Sequence, residues 1–171
     1  FPDNFYGAAK LSTSHMTRVY CSQLGIKHIW CRIFSLFGPY DGDYTMIMSS
    51  IKKMLNNEDC KFTAGDQIWD YIYSKDAAKA FRLVAEKGID GSVYCIASGQ
   101  TRPLKEYIKS MHKLVNINCK ILLGAIPYYE HQAMNLTADI SNLKSDTGFE
   151  PKYTFEEGIK DLVGLIKNED N

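Results

Sequence analysis

His28-Ile29-Trp30-Cys31-Arg32-Ile33-Phe34 followed by Ser35-Leu36-Phe37-Gly38-Pro39 is the stretch on which the fold turns. Its first seven residues are short, β-prone and mostly apolar, which predicts a strand buried on both faces. The next five, closing on Gly38-Pro39, read as a loop. Upstream, Tyr6 to about Leu24 contains no proline and opens with small residues (Gly7, Ala8, Ala9, Ser12), so it predicts a helix that lets a neighbouring backbone come close. Gly25 ends it as a C-terminal cap.

Downstream the alternation continues. Ile47, Ile51, Met54 and Leu55 recur at helical spacing, and Lys61-Phe62-Thr63 predicts a short strand before the turn at Gly65-Asp66. Trp69 to Tyr73 reads as another strand, with Ser74 as the N-cap of a helix from Ala77 to Glu86. Ser92 to Ala97 predicts a strand. Leu104, Tyr107, Ile108, Met111, Leu114 and Val115 share one face of a helix whose first turn suits Pro103. Cys119 to Leu123 is strand-like, and Asp139 to Asp146 predicts a short helix stopped by Gly148. Thr154-Phe155-Glu156-Glu157 is a capping box opening a final helix with Phe155, Ile159, Leu162, Val163 and Ile166 inward. Strands alternating with helices make the chain α/β. Three or four strands form a small sheet for five or six helices, so something else is expected to cover it.

Composition narrows the function. At 171 residues, 45% hydrophobic and 23% charged, the chain suits a single domain or a large piece of one. Twenty basic and twenty acidic residues balance, which leaves no electrostatic footprint for nucleic acid or an anionic membrane and points to a small-molecule or protein partner. Five cysteines (Cys21, Cys31, Cys60, Cys95, Cys119) include no C-x-x-C pair, and four histidines show no H-x-x-x-H spacing, so neither a disulfide framework nor a metal site is expected. No signal peptide or long apolar stretch is present, so the chain reads as cytoplasmic, and the sequon Asn135-Leu136-Thr137 as accidental. The opening Phe1-Pro2-Asp3 lacks an initiator methionine and reads as a cut chain.

Tyr6-Gly7-Ala8-Ala9-Lys10 carries the chemistry. Four residues apart on a helix, a phenol and an ammonium emerge on one face. A free tyrosine titrates at about 10, and a nearby cation favours the phenolate, which suits proton transfer nearer neutrality. Alone, the pair reads as an ordinary solvated i,i+4 contact, since the spacing arises by chance in many chains.

Several segments in order resemble the extended short-chain dehydrogenase/reductases, the nicotinamide-dependent epimerases and dehydratases of nucleotide sugars. Tyr6-Gly7-x-x-Lys10-Leu11 is similar to that family's catalytic helix. Arg32 to Pro39 resembles its arginine-phenylalanine-asparagine-x-tyrosine-glycine-proline strand and loop. Gly65 to Ala78 resembles its glycine-arginine-aspartate-aromatic stretch, Gly91 to Gly99 its glycine-x-x-tyrosine-asparagine segment, and Ala138-Asp139 through Gly158 its last helical stretch.

The resemblance implies the C-terminal part of a doubly wound Rossmann-like fold with a smaller mixed α/β substrate-binding subdomain. Residues 1–40 would belong to the Rossmann-like domain and 41–171 mostly to the subdomain, with about 69–97 returning to the sheet. Tyr6 would be the general acid/base, Lys10 would hold the nicotinamide ribose, and Phe34, Ser35 and Leu36 would lie beside the cofactor, NAD or NADP. Ser35, Trp69 and Cys95 would face a nucleotide-activated sugar. A homodimer through the Tyr6–Lys10 helix follows from the same resemblance.

Three positions depart from the pattern. Ser35 and Cys95 stand where the family has asparagine, and Trp69 where an arginine clamps the diphosphate. Tryptophan offers a π face and one donor, not a bidentate cation, so Trp69 either stacks on a base or packs a hydrophobic pocket. Arg32 either serves the loop or pairs with Asp70 or Asp76, which read as structural anchors, Asp76 at a helix N-terminus. Neither Gly38-Pro39 nor Gly65-Asp66 supplies a glycine-rich phosphate turn. The N-terminal cofactor half is therefore expected to be absent, and the chain alone to have no turnover. A degenerate relative serving as a binding or regulatory module is the alternative, and an unrelated α/β domain the third.

Overall fold

The computed structural model describes Pro2 and residues 4–169. Helix α1 (Phe5–Gln23) starts at Asn4, whose side chain accepts a hydrogen bond from the Gly7 amide at 2.8 Å. It ends at Leu24, with Gly25 following at φ 67°. Strand β1 (Trp30–Ile33) runs parallel to β5 (Val93–Ile96), Arg32 opposite Cys95. At Phe34 the chain changes partner. Ser35–Phe37 is itself a strand, β2, parallel to β4 (Ile68–Tyr73), rather than the expected loop.

β4 is the hinge of the architecture. On one edge it meets β6 (Thr101–Pro103) antiparallel, and β8 (Asn135–Leu136) runs parallel to its first two residues. Ile68 and Trp69 pair with both, so β8 lies on the edge opposite β6, which β2 occupies further along. Side chains alternate across a strand. Trp69, Tyr71 and Tyr73 accordingly join one core with Phe37, Tyr107 and Phe155, roofed by α2 (Met46–Leu55), α4 (Leu104–Val115) and α6 (Phe155–Glu169). Ile72 faces a second core, with Ala77, Ala80 and Leu83 of α3 (Ser74–Lys87), Tyr94 and Ile96 of β5, and Leu143 of α5 (Ser141–Thr147). β3 (Cys60–Lys61) and β7 (Ile121–Leu122) form a separate parallel pair.

Several local expectations are corrected. Ser74 is the first residue of α3, not its cap; Tyr73 holds the cap position without a side-chain bond. Pro103 likewise caps α4 from the end of β6, where it pairs with Ile68. β1 is not buried on both faces: Arg32 and Ile33 are exposed, because among the described residues β1 pairs only with β5 and no residue of α1 is buried. The capping box of α6 is formed, Thr154 Oγ1 donating to Glu157 Oε2 at 2.8 Å and accepting from the Glu157 amide at 3.2 Å. Gly148, at φ 71°, ends α5 in the left-handed conformation that favours glycine. Gly38 is required for a different reason: a Cβ there would collide with the Ser74 side chain, so its absence lets the β2 loop lie against the start of α3.

Candidate functional site

α1 presents Tyr6 and Lys10 on one face, as their spacing demands. Lys10 Nζ lies 5.6 Å from the centre of the Tyr6 ring. Tyr6 is 74% exposed. Beside them a cavity of about 400 Å³ opens between α1 and β1, lined by Gly7, Lys10, Leu11, Ser14, Trp30 and Arg32. An ammonium, a guanidinium and a hydroxyl stand there beside Leu11 and the Trp30 ring, a set of donors that can bind an oxygen-rich ligand.

The other sequence candidates sit where the strand changes sheets. Phe34 is half-buried and its amide donates to the Ile96 carbonyl at 3.1 Å, the last link to β5 before the chain turns to β4. Ser35 and Trp69 meet: the indole Nε1 donates to Ser35 Oγ at 2.7 Å. Trp69 is half-buried against the first core. Leu36 is exposed. Cys95 is half-buried in β5; burial pushes its thiol up, with Arg32 opposing and Asp139 adding to the shift. Among the described residues no hydrogen bond, ion pair or ring contact joins Tyr6 or Lys10 to Ser35, Trp69 or Cys95.

Arg32 pairs with neither Asp70 nor Asp76, because both carboxylates already have partners. Asp70, fully buried, accepts from the Ser98 amide (2.9 Å), Ser98 Oγ (2.7 Å) and the Gly99 amide (2.8 Å). Burial raises its carboxyl above the usual range while those donors pull it back. Asp76 lies in the first turn of α3 and accepts from the Lys152 and Tyr153 amides at 2.9 and 2.8 Å. It therefore ties the segment before α6 to α3.

Sequence reasoning passed over a second polar cluster. Arg102, facing Trp69 across β4 and β6, lies with its guanidinium carbon 4.1 Å from the Tyr107 ring centre, its Nη2 2.9 Å from Glu156 Oε1. Only its place beside Pro103 could have flagged it, and that proline read as part of a helix start.

Residues 1–97 match the NAD dependent epimerase/dehydratase family. The dTDP-glucose 4,6-dehydratase of Xanthomonas campestris pv. campestris is 27% identical over 171 residues, covering 95% of this chain and 49% of that protein. The CDP-abequose synthase of Salmonella muenchen is 26% identical over 163 residues, covering 94% and 55% respectively. The chain thus spans about half the length of the curated relatives it matches. Among solved structures, the UDP-glucose 4-epimerase of Thermotoga maritima with UDP-glucose superposes with a TM-score of 0.91 at 24% identity, over 100% of this chain and 56% of that one. The UDP-glucuronic acid 4-epimerase of Bacillus cereus, in complex with UDP-glucuronic acid and NAD, superposes at 0.86 with 23% identity over 99% and 54%. That likeness establishes a Rossmann-like α/β architecture. With the family match running through α1, β1 and the β2–β4 pair to the end of β5, this chain belongs to the NAD dependent epimerase/dehydratase family.

Proposed function

We propose that the protein carrying this chain is a nicotinamide-dependent epimerase, dehydratase or 4-keto reductase acting on a nucleotide-activated sugar. The observation that carries this reading is the Tyr6–Lys10 pair, held on one helix face with the ammonium 5.6 Å from the phenol ring. Tyr6 exchanges the proton of the sugar hydroxyl or carbonyl, acting as general acid and base in turn. Lys10, with Ser14 beside it in the α1–β1 cavity, holds the nicotinamide ribose. The cofactor, NAD or NADP, supplies or accepts the hydride when bound. Phe34 and Leu36 flank the reacting ring, and Ser35, Trp69 and Cys95 lie on the sugar side. In this reading residues 1–40 serve the cofactor domain and 41–171 mostly shape the substrate side. The 171 residues contain no glycine-rich turn for the pyrophosphate, so on their own they turn nothing over.

The dimer contact belongs to the same proposal. His15, Met16, Val19, Tyr20 and Gln23 line an open apolar patch on α1. Met16 is 71% exposed and Tyr20 63%. Exposed apolar residues on one face of a long helix suit a second copy of that helix.

Replacing Tyr6 with Phe in the intact protein tests the reading. Turnover is expected to fall by about two to four orders of magnitude, the usual worth of a positioned acid/base, with cofactor binding retained. Unchanged turnover removes Tyr6 from the mechanism. A second reading, a binding module without turnover, rests on Trp69, which carries no charge and has its one donor engaged by Ser35; under it Tyr6→Phe leaves ligand binding unaltered and no wild-type turnover exists to lose.

A further inference from the structure

A nucleoside diphosphate brings at least two negative charges to the site that holds it, and its oxygens are best met by a fixed guanidinium. Trp69 cannot supply that charge. Directly across the β4–β6 pair stands Arg102, in register with Trp69. Residues opposed in an antiparallel pair share a face, with Cβ atoms about 5 Å apart. Arg102 therefore brings its cation to the face that Trp69 and Ser35 occupy.

The guanidinium is held in a fixed plane. Its central carbon lies 4.1 Å from the Tyr107 ring centre and 5.3 Å from that of Phe155. Nη2 sits 2.9 Å from Glu156 Oε1, and the Arg102 side chain is 28% exposed. A guanidinium has five N–H donors, more than Glu156 and the Tyr107 ring take up. Lys105 and Lys75, by contrast, stand at the surface in ion pairs with Asp66 and Asp161. Arg102 opens on a cavity of about 170 Å³ that Tyr71, Gln100 and Thr101 also line. The Tyr71 hydroxyl has no hydrogen-bond partner among the described residues. Burial, with Tyr107 and Asp41 near it, pushes its ionisation up, so it stays a donor.

We propose that Arg102 is the cation that anchors the diphosphate of the nucleotide-activated sugar, with the Tyr71 hydroxyl as a second donor in the same cavity. The inference rests on the nucleotide-sugar reading above and names a residue for it. Glu156 has the positioning part: it aligns the guanidinium and lends α6 to the cavity wall.

The test is equilibrium binding to the intact protein by titration calorimetry, with CDP, UDP, dTDP and GDP as probes and the matching nucleosides as controls. Arg102→Gln is expected to weaken the preferred diphosphate about tenfold or more while its nucleoside changes less than about twofold, since a charge-assisted bond is lost only where phosphate is present. Tyr71→Phe weakens the diphosphate several-fold. Glu156→Gln removes the opposing charge but keeps a carbonyl oxygen that can accept from the guanidinium and hold its plane, so a merely structural Arg102 predicts equal losses for both variants, whereas an anchoring Arg102 predicts that Glu156→Gln keeps or improves diphosphate affinity. Wild-type affinity in Arg102→Gln, or equal loss of nucleoside and diphosphate, overturns the inference while leaving the nucleotide-sugar reading intact. Failure of the wild-type protein to bind any of the four diphosphates overturns both.

Discussion

Trp69 donates its indole N–H to Ser35 Oγ across the β2–β4 strand pair, so two residues 34 positions apart are locked together at the point where the chain leaves one sheet for the other. Ser35→Ala leaves that half-buried donor without its acceptor. A loss of about 1 kcal/mol in unfolding free energy is expected. In a Trp30→Phe background of this chain, where Trp69 is the remaining tryptophan of the 171 residues, its emission maximum should also move; emission and melting temperature both unchanged would mean the bond is not made in solution.

Asp76 joins the first turn of α3 to the backbone ahead of α6, and it is almost completely buried. Asp76→Ala strands two amide donors, at a cost of about 2 to 4 kcal/mol. Asp76→Asn keeps one oxygen to accept and should lose less. Denaturant midpoints of the two variants, compared at constant m-value, check the ranking.

Asp161 titrates below the usual carboxylate range, held down by the hydrogen bond from Lys75 and then by that from Tyr73. A depressed folded-state pKa contributes stability that is present above the unfolded value, about 4, and lost as pH falls through the folded one. Asp161→Asn should therefore lower the melting temperature at pH 7 and make little difference at pH 2. Its side chain is 35% exposed, so screening limits the effect to about 1 kcal/mol or less. An equal deficit at both pH values would show that the carboxylate's charge is irrelevant.

Met16→Glu together with Tyr20→Glu places two charges on the open patch of α1. If that patch joins two copies, sedimentation of the intact protein should change from dimer to monomer, because each carboxylate would have to be desolvated in an apolar contact. An unaltered dimer would move the interface elsewhere on the surface.

How far the fold could be read in advance follows from the range of the interactions involved. α4 and α6 were legible because their stripes and the Thr154–Glu157 box are local patterns. β6 and β8 were not. Strands of three and two residues carry no periodicity, and both pair with Ile68 and Trp69 from 33 or more positions away. Asp76 could be placed at a helix N-terminus from sequence, but its true partners, the amides of Lys152 and Tyr153, lie 76 and 77 positions on. The Tyr6–Lys10 pair was visible because a helix turn converts spacing directly into proximity. Arg102 was invisible for the opposite reason, since its role depends on the strand that sets it beside Trp69.

α1 is nineteen residues long and none of them is buried. A helix with no buried face gains little from tertiary packing, the source of most helical stability in proteins. Its amide hydrogens should accordingly exchange within seconds to minutes when the helix stands uncovered, and slow by orders of magnitude once its apolar residues are sealed. The distance between a phenol and an ammonium one turn apart then becomes an assembly-dependent quantity. On the proposed reading, sealing α1 also fixes the geometry in which Tyr6 meets Lys10, so exchange protection across α1 would report on that pair as well as on docking.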